Sequence, residues 1–273
     1  MKSKANLEHS KSLDQYYTHP DYARYFYNKI QETLNLEDAT VLLEPSAGTG
    51  NFYDLMDKQK RIGLDLEPKG EGILEQDFLN WAPLSKNEII YTIGNPPFGK
   101  NSSIAIKFFN HASKFSEVIA FIVPKTFRKD SIIKRLNPHF HCIFDEDVDV
   151  NCFIFNETPY DVWCCSQIWV KNTKERRKDK IVLDKNNFNN WFEFVKPIDA
   201  DFSIQRVGVH AGTIRTIDFS DRSASSHYFI KQKESWILFV FEQIDFNTIK
   251  TNTAGNPSIS LNELLTLWKE KAS

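Results

Sequence analysis

Four consecutive residues, Asn95-Pro96-Pro97-Phe98, follow the apolar run Ile89-Ile90-Tyr91-Thr92-Ile93. Such a run reads as a buried strand, and the tetrapeptide holds an amide side chain at its carboxyl end, the edge at which open α/β sheets bind ligands. Each proline fixes φ near about −65° and lacks an N–H, so the turn is stiff and the Pro96 carbonyl has few local competitors. Two acceptors, the Asn95 amide oxygen and the Pro96 carbonyl, then lie beside the face of Phe98. That set suits a planar group carrying an NH2, such as adenine, cytosine or a carboxamide.

The elements that must position these residues are legible on both sides. Upstream, Val41-Leu42-Leu43 runs into Glu44-Pro45-Ser46-Ala47-Gly48-Thr49-Gly50-Asn51-Phe52. A strand, a glycine turn and a helical pattern after it describe the first unit of a nucleotide-type α/β fold. Gly48 and Gly50 let backbone approach a ligand, while the spacing does not match the phosphate-binding GxxxxGK(S/T) loop. Further on, Arg61-Ile62-Gly63-Leu64-Asp65 reads as a second strand ending in a carboxylate, a position suited to ribose hydroxyls. Asp77 ends the next short segment. Helical spacing runs from Pro20 to Leu34 and from Ser102 to Phe115, and Val118 to Pro124 reads as a buried strand.

The order of these motifs resembles S-adenosylmethionine-dependent amino-methyltransferases of the adenine-N6 type, and more narrowly the gamma group of DNA adenine methyltransferases. In that group a Tyr/Phe-Thr-Pro signature comes first, then the glycine loop, the catalytic tetrapeptide and a C-terminal target-recognition domain. Here Tyr16-Tyr17-Thr18-His19-Pro20 fills the first slot, with His19 inserted between Thr and Pro. The resemblance covers roughly residues 12–170. It implies a Rossmann-like α/β sheet, mostly parallel with a C-terminal antiparallel hairpin, plus a small C-terminal α+β domain. It also implies S-adenosyl-L-methionine as cofactor. Tyr17 and Thr18 would flank its methionine end, and Glu44, Ser46 and Ala47, with the Gly48 and Gly50 backbone, would surround its amino acid and sulfonium part. Asp65 would accept from the ribose hydroxyls and Asp77 from the adenine amino group, with Leu66, Phe78 or Pro97 against the ring. Asn95 and Pro96 would accept from the target amine. Phe98 would stack on the target ring, and Phe155 is preferred over Phe153 as a second wall; their alternation fits sheet packing equally well.

The 273 residues, 41% hydrophobic and 14% aromatic, suffice for one large core, or for a large core plus a smaller one. The expected division is a cofactor-binding catalytic domain over 1–170 and a target-recognition domain over 171–273. Four cysteines show no CxxC spacing, so neither a disulfide framework nor a zinc site is indicated, and reduced core residues are expected. The seven histidines show no metal-ligand spacing either. The polar start Met1-Lys2-Ser3-Lys4 lacks a signal-peptide apolar region, which suggests the cytoplasm, or the host cytoplasm or nucleus in a viral setting.

The net charge of −2 conceals an asymmetry: residues 171–273 carry 16 Lys/Arg against 13 Asp/Glu, and residues 1–170 carry 18 against 23. A local basic excess follows the tetrapeptide, including Lys100, Lys107, Lys114, Lys125, Arg128, Lys129, Lys134 and Arg135. It fits phosphate contacts or a solvated helix face. Six bases lie within Lys171–Lys180, as suits a phosphate-tracking segment or a linker. Beyond them, Arg206 to Gly212 reads as a candidate target-reading loop, with Arg206, Arg215 and Arg222 suited to phosphates or guanine edges. Ser260 and Glu263 are spaced as a capping box for a last helix. Double-stranded DNA is the expected partner, with RNA adenosine or, less favoured, a protein glutamine amide as alternative acceptors. Any restriction endonuclease partner would be a separate chain.

Overall fold

The computed structural model describes residues 17–148, 152–155, 158–160, 163–176, 188, 190–253 and 255–272. The chain divides into two compact units, Met1–Arg176 and Arg177–Ser273. The first contains β1 (Tyr17–Thr18), α1 (Pro20–Thr33), β2 (Val41–Glu44), β3 (Arg61–Asp65), β4 (Leu74–Glu75), β5 (Ile90–Gly94), α2 (Ser103–Ala112) and β6 (Ser116–Pro124). These are followed by α3 (Asp130–Ile133), β7 (Phe140–Asp147), β8 (Phe153–Phe155), β9 (Thr158–Tyr160) and β10 (Cys164–Lys171). Seven strands form one sheet in the order β4-β3-β2-β5-β6-β10-β7. The strands from β4 to β6 are parallel neighbours, and β10 runs antiparallel to both β6 and β7. The expected Rossmann-like sheet is therefore present, and its antiparallel strand is inserted between β6 and β7. The chain between β7 and β10 carries β8 and β9, which join β1 in a separate three-stranded sheet.

Strand alternation builds two cores from one sheet. Leu42, Tyr91, Ile93, Val118, Ala120 and Ile122 pack with Tyr22, Phe26 and Ile30 of α1. Their sequence neighbours Val41, Leu43, Ile90, Ile119, Phe121 and Val123 pack with Ala105, Ile106, Phe108 and Phe109 of α2. Helices thus cover both faces, which is why these strands read as continuous apolar runs. Tyr22 also spans from α1 to the sheet, its hydroxyl 2.7 Å from Ser166 Oγ in a buried pair. Tyr22→Phe should destabilise the protein by about 1–3 kcal/mol, because it strands a buried Ser166 hydroxyl. Urea unfolding tests this, and an unchanged midpoint would contradict it.

Several sequence expectations shift. No α-helix follows the glycine loop: only a 3₁₀ turn, Tyr53–Leu55, forms there. The Asp57 carboxylate takes the Gln59 N–H at 2.8 Å and its carbonyl takes those of Lys60 and Arg61, so the backbone turns directly into β3. Lys125 and Arg128, read as possible phosphate ligands, are tied to β7: Lys125 Nζ donates to Asp147 at 2.6 Å, and Arg128 pairs with both Asp145 and Asp147. Arg176, from the basic decapeptide, donates to the carbonyls of Ile133, Leu136, Asn137 and Phe140. It closes the first unit instead of tracking a phosphate backbone. Cys152, Cys164 and Cys165 are buried, as expected for core residues, whereas Cys142 lies exposed on β7.

The second unit contains β11 (Phe192–Phe194), β12 (Phe202–Gln205), β13 (Ile214–Arg215), β14 (His227–Gln232), α4 (Trp236–Glu242), α5 (Asn247–Lys250) and α6 (Leu261–Ala272). Its antiparallel sheet has the order β11-β14-β12-β13. Phe202, Ile204, Tyr228 and Ile230 on one face pack with Ile237, Phe241, Leu264, Leu265 and Trp268 of the helices. The capping box that starts α6 is reciprocal: Ser260 N–H donates to Glu263 Oε2 at 2.7 Å and Glu263 N–H to Ser260 Oγ at 3.3 Å. Among the described residues no helix is long and apolar enough to cross a membrane, and no His, Cys, Asp and Glu cluster could hold a metal ion.

Candidate active site

The strand order reverses at β2: the chain moves outward to β3 and β4, then returns to β5 on the other side. Ligands of open α/β sheets sit at the carboxyl ends of strands beside such a reversal. Glu44 ends β2, Gly94 ends β5, and Asn95 follows directly after it. A cavity of about 310 Å³ opens there.

Three loops meet at the cavity and hold one another. In the glycine loop, Gly48 has φ +52°, a left-handed conformation, and its N–H donates to Asp65 Oδ2 at 2.7 Å. Asp65 Oδ1 takes the Glu67 N–H at 2.8 Å, so the carboxylate at the end of β3 organises both neighbouring turns. Ser46 Oγ donates to the Asn95 carbonyl at 3.0 Å, linking the glycine loop to the Asn-Pro-Pro-Phe turn across the strand reversal. Asn51 Nδ2 donates to the Thr18 carbonyl at 2.7 Å and fixes the same loop to β1. The inserted His19 is the N-cap of α1: its Nδ1 accepts the Asp21 N–H and Pro20 occupies the first helical position. The insertion therefore serves the helix start while Tyr17 and Thr18 stay in β1.

A Cβ at Gly48 would come within 2.7 Å of Tyr17 Cε1. Gly48→Ala combines that clash with a left-handed backbone that costs an L-residue about 1–2 kcal/mol. The variant should remain folded yet lose most ligand affinity at this cavity, because relief requires moving the Tyr17 ring. Calorimetric titration checks this, and affinity equal to the parent would contradict it.

The second half of the site is the Asn-Pro-Pro-Phe turn. Asn95 and Pro97 line the cavity, whereas Pro96 and Phe98 do not. Phe98 is buried, its ring edge-on to Phe153 at 6.3 Å. Its carbonyl accepts the N–H groups of Ile104 and Ala105 and so anchors the start of α2. The backbone from Gly99 to Ser102 makes this tight join through left-handed residues, with φ of +68° at Gly99, +55° at Asn101 and +59° at Ser102. Asn95 Oδ1 is itself buried. Phe155 lies in β8 opposite Thr158, and its side chain falls outside the described residues.

Tyr17, Thr18, Glu44, Ser46, Ala47, Gly48, Asp65, Leu66, Asp77 and Phe78 all line the cavity. Gly50 does not; its N–H closes the turn onto the Ala47 carbonyl at 2.7 Å. Asp77 caps the 3₁₀ turn after it, accepting from Leu79 N–H and Asn80 Nδ2 at 2.9 and 2.7 Å. A carboxylate has about four acceptor positions, so Asp65 and Asp77 each retain capacity toward the cavity. Among the lining residues that sequence reasoning missed are Ile104 and Phe108 of α2, Glu67, Gln76 and Leu79, together with four further residues of the glycine loop and its continuation, Pro45, Thr49, Asn51 and Phe52. The i, i+4 spacing of Ile104 and Phe108 was the available signal.

Carboxylates dominate the cavity lining, and the Lys69 ammonium lies beside it, 5.2 Å from the centre of the Tyr17 ring. Four carboxyl residues, Glu44, Asp65, Glu67 and Asp77, line it, and no Lys, Arg or His is among the described lining residues. Glu44 is 3% exposed and its Oε2 has no hydrogen-bond partner. Burial, reinforced by the nearby charges of Asp65 and Asp54, pushes its carboxyl well above the usual range despite a hydrogen bond to the Tyr53 backbone. Thr18 Oγ1 is a second buried polar atom without a partner. Apolar walls come from Leu66, Phe78, Leu79, Pro97, Ile104 and Phe108. The arrangement suits a ligand with a flat apolar part, several N–H or O–H donors and a positive charge, and it disfavours phosphates.

No protein-family model matches the chain, and no curated protein matches it. Among solved structures, the chain is similar to a Pyrococcus horikoshii protein provisionally assigned as an RNA methyltransferase, at 17% identity and a TM-score of 0.46. That match covers 59% of this chain and 88% of the other. It is also similar to the 23S rRNA methyltransferase ErmE, at 16% identity and a TM-score of 0.40, over 60% of this chain and 74% of the other. At TM-scores below 0.5 these likenesses add nothing to what the strand order and the cavity already display.

Proposed function

We propose that this protein is an S-adenosylmethionine-dependent methyltransferase that modifies the N6 amino group of adenine in DNA. The observation that carries the reading is the acidic, phosphate-averse cavity at the strand reversal, sharing one wall with the Asn-Pro-Pro-Phe turn. The cofactor fits these residues: Glu44 and Thr18 hold buried polar atoms that lack partners, Asp65 and Asp77 offer acceptors, and Leu66, Phe78 and Pro97 offer apolar walls. Glu44 and the glycine loop would hold its cationic methionine end, and Asp65 and Asp77 its ribose and adenine donors. When bound, it supplies an electrophilic methyl group.

The chain's own contribution is positioning. The lone pair of an adenine amine is delocalised into the ring, so the amine is a weak nucleophile. Hydrogen bonds from its two N–H groups to Asn95 Oδ1 and the Pro96 carbonyl favour rehybridisation of the nitrogen. Among the described residues no donor is bonded to the Pro96 carbonyl, so that acceptor is available. Neither group titrates near neutral pH, and no strong general base is required. Alignment of this kind can contribute about 7–11 kcal/mol. A target base in a duplex must first leave the stack at a cost of a few kcal/mol.

The order of parts, cofactor elements first and an appended unit of about a hundred residues after them, favours a macromolecular substrate and duplex DNA within that class. Target recognition is assigned to the second unit. Nucleoside mass spectrometry of duplex DNA incubated with protein and S-adenosylmethionine should show N6-methyladenine. Methylated cytosine in its place, or methyl groups found solely in RNA, would contradict the assignment.

A further inference from the structure

The Asn-Pro-Pro-Phe turn enters α2 through a backbone that its residues disfavour. Asn101 and Ser102 are both left-handed, at φ +55° and +59°. Asparagine adopts that region with some ease, whereas the Cβ of serine crowds the following carbonyl there. The join is also tightly packed, since a Cβ at Gly99 would come within 2.5 Å of Ile104 Cγ1. Ser102 is 3% exposed, so its hydroxyl needs a partner inside the protein. Strain of this kind persists only where the surroundings over-determine it, and it concentrates at functional sites.

What holds Ser102 comes from the next strand. β6 is the parallel neighbour of β5, with Phe121 opposite Gly94, and it ends in a 3₁₀ turn, Lys125–Arg128. Thr126 of that turn shares a hydrogen bond of 2.7 Å with Ser102 through the two hydroxyls. The turn itself is fixed from several directions. Lys125 N–H donates to the Trp163 carbonyl and Lys129 N–H to the Thr126 carbonyl, both at 2.9 Å. Phe127 is fully buried in the core that contains Ala105 and Phe109 of α2. Lys125 and Arg128 pair with Asp145 and Asp147 of β7, so their charges brace the residue between them.

We propose that Thr126 is a positioning residue for methyl transfer: its bond to Ser102 clasps the strained join and thereby sets the Asn95 amide and the Pro96 carbonyl toward the target amine. The role rests on the adenine-amine reading above. The turn is anchored at Asn95, whose carbonyl accepts from Ser46, and at Phe98, whose carbonyl accepts from Ile104 and Ala105. Releasing the clasp lets Gly99 to Ser102 relax toward conformations that serine prefers. Pro96 and Pro97 have fixed φ and cannot absorb the shift, so it passes to the acceptors before them. Thr126 does not line the cavity, and its loss leaves the cofactor's own contacts in place.

The test uses the full chain. Thr126→Val keeps the side-chain shape and removes the hydroxyl, and Thr126→Ser restores it. Single-turnover methyl transfer to duplex DNA at saturating S-adenosylmethionine should fall roughly 10–100-fold in Thr126→Val, the scale of a small misplacement of reacting groups. It should recover in Thr126→Ser, while calorimetric affinity for S-adenosylmethionine stays close to the parent's in both. In an Asn95→Ala background Thr126→Val should cost markedly less, because one group it positions is gone. Ser102→Ala removes the same bond from its other end and should reproduce the loss, which covers a Thr126→Val that does not fold. Parent-like turnover in these variants, or an equal loss in both backgrounds, would overturn the proposal and leave the methyltransferase reading intact. The side-chain amide NMR signals of Asn95 report without activity: they should shift in Thr126→Val and return in Thr126→Ser. Signals unmoved by Thr126→Val would overturn the clasp. If the parent transfers no methyl to DNA and the signals still follow the hydroxyl, the clasp stands and the adenine reading falls.

Discussion

Asn95→Ala should reduce methyl transfer by about 10²–10³-fold while the protein still binds S-adenosylmethionine to within several-fold of the parent. The magnitude is that of removing one preorganised polar contact that strengthens as charge develops in the transition state. Asn95 contributes one of many lining groups to the cavity, whereas the glycine loop is held independently by Asp65, Ser46 and Asn51. Ser46 donates to the Asn95 backbone carbonyl, which alanine retains, so the turn keeps its anchor. Single-turnover rates beside calorimetric affinities separate the two effects. Retained turnover would remove Asn95 from the chemistry; loss of cofactor affinity in proportion to rate would make its role one of cavity structure.

Glu44→Gln should have the opposite signature, with weaker cofactor binding and no loss of fold stability. A charge-assisted hydrogen bond contributes about 1.5–3 kcal/mol, so affinity should fall by roughly 10–150-fold. The folded carboxyl is raised above its unfolded value. Its contribution to stability is therefore fully present below the ordinary carboxyl pKa and is lost as pH rises toward the folded value. The stability of Glu44→Gln relative to the parent should accordingly grow with pH over that interval. A cation in the cavity favours the ionised form, so binding releases a proton and tightens with rising pH across the same interval. Titrations in two buffers of different ionisation enthalpy measure that proton directly. Release that persists in Glu44→Gln, or none in the parent, would contradict the assignment.

What could be read from the residues was local chemistry. Proline and glycine constrain the backbone wherever they occur, so the Asn-Pro-Pro-Phe turn and the Gly48 loop were visible, as were the runs that became β2, β5 and β6. The Ser260–Glu263 capping box was equally local. Insertion of β10 between β6 and β7 was not, because strand order depends on pairing between distant segments. The same holds for Lys125 and Arg128, whose partners Asp145 and Asp147 come from β7, and for Arg176, held by four carbonyls some forty residues away. Phe98 illustrates a finer limit. Its place in the turn suggested a stacking platform, yet its ring packs against Phe153 while its carbonyl starts α2.

The most direct test is transfer from methyl-labelled S-adenosylmethionine to unmodified duplex DNA, single-stranded DNA and RNA in parallel, with nucleoside analysis of each product. The account predicts label in duplex DNA as N6-methyladenine, abolished by Asn95→Ala. Label confined to RNA would keep the chemistry and reassign the second unit, and label in none of the three would contradict the proposed function.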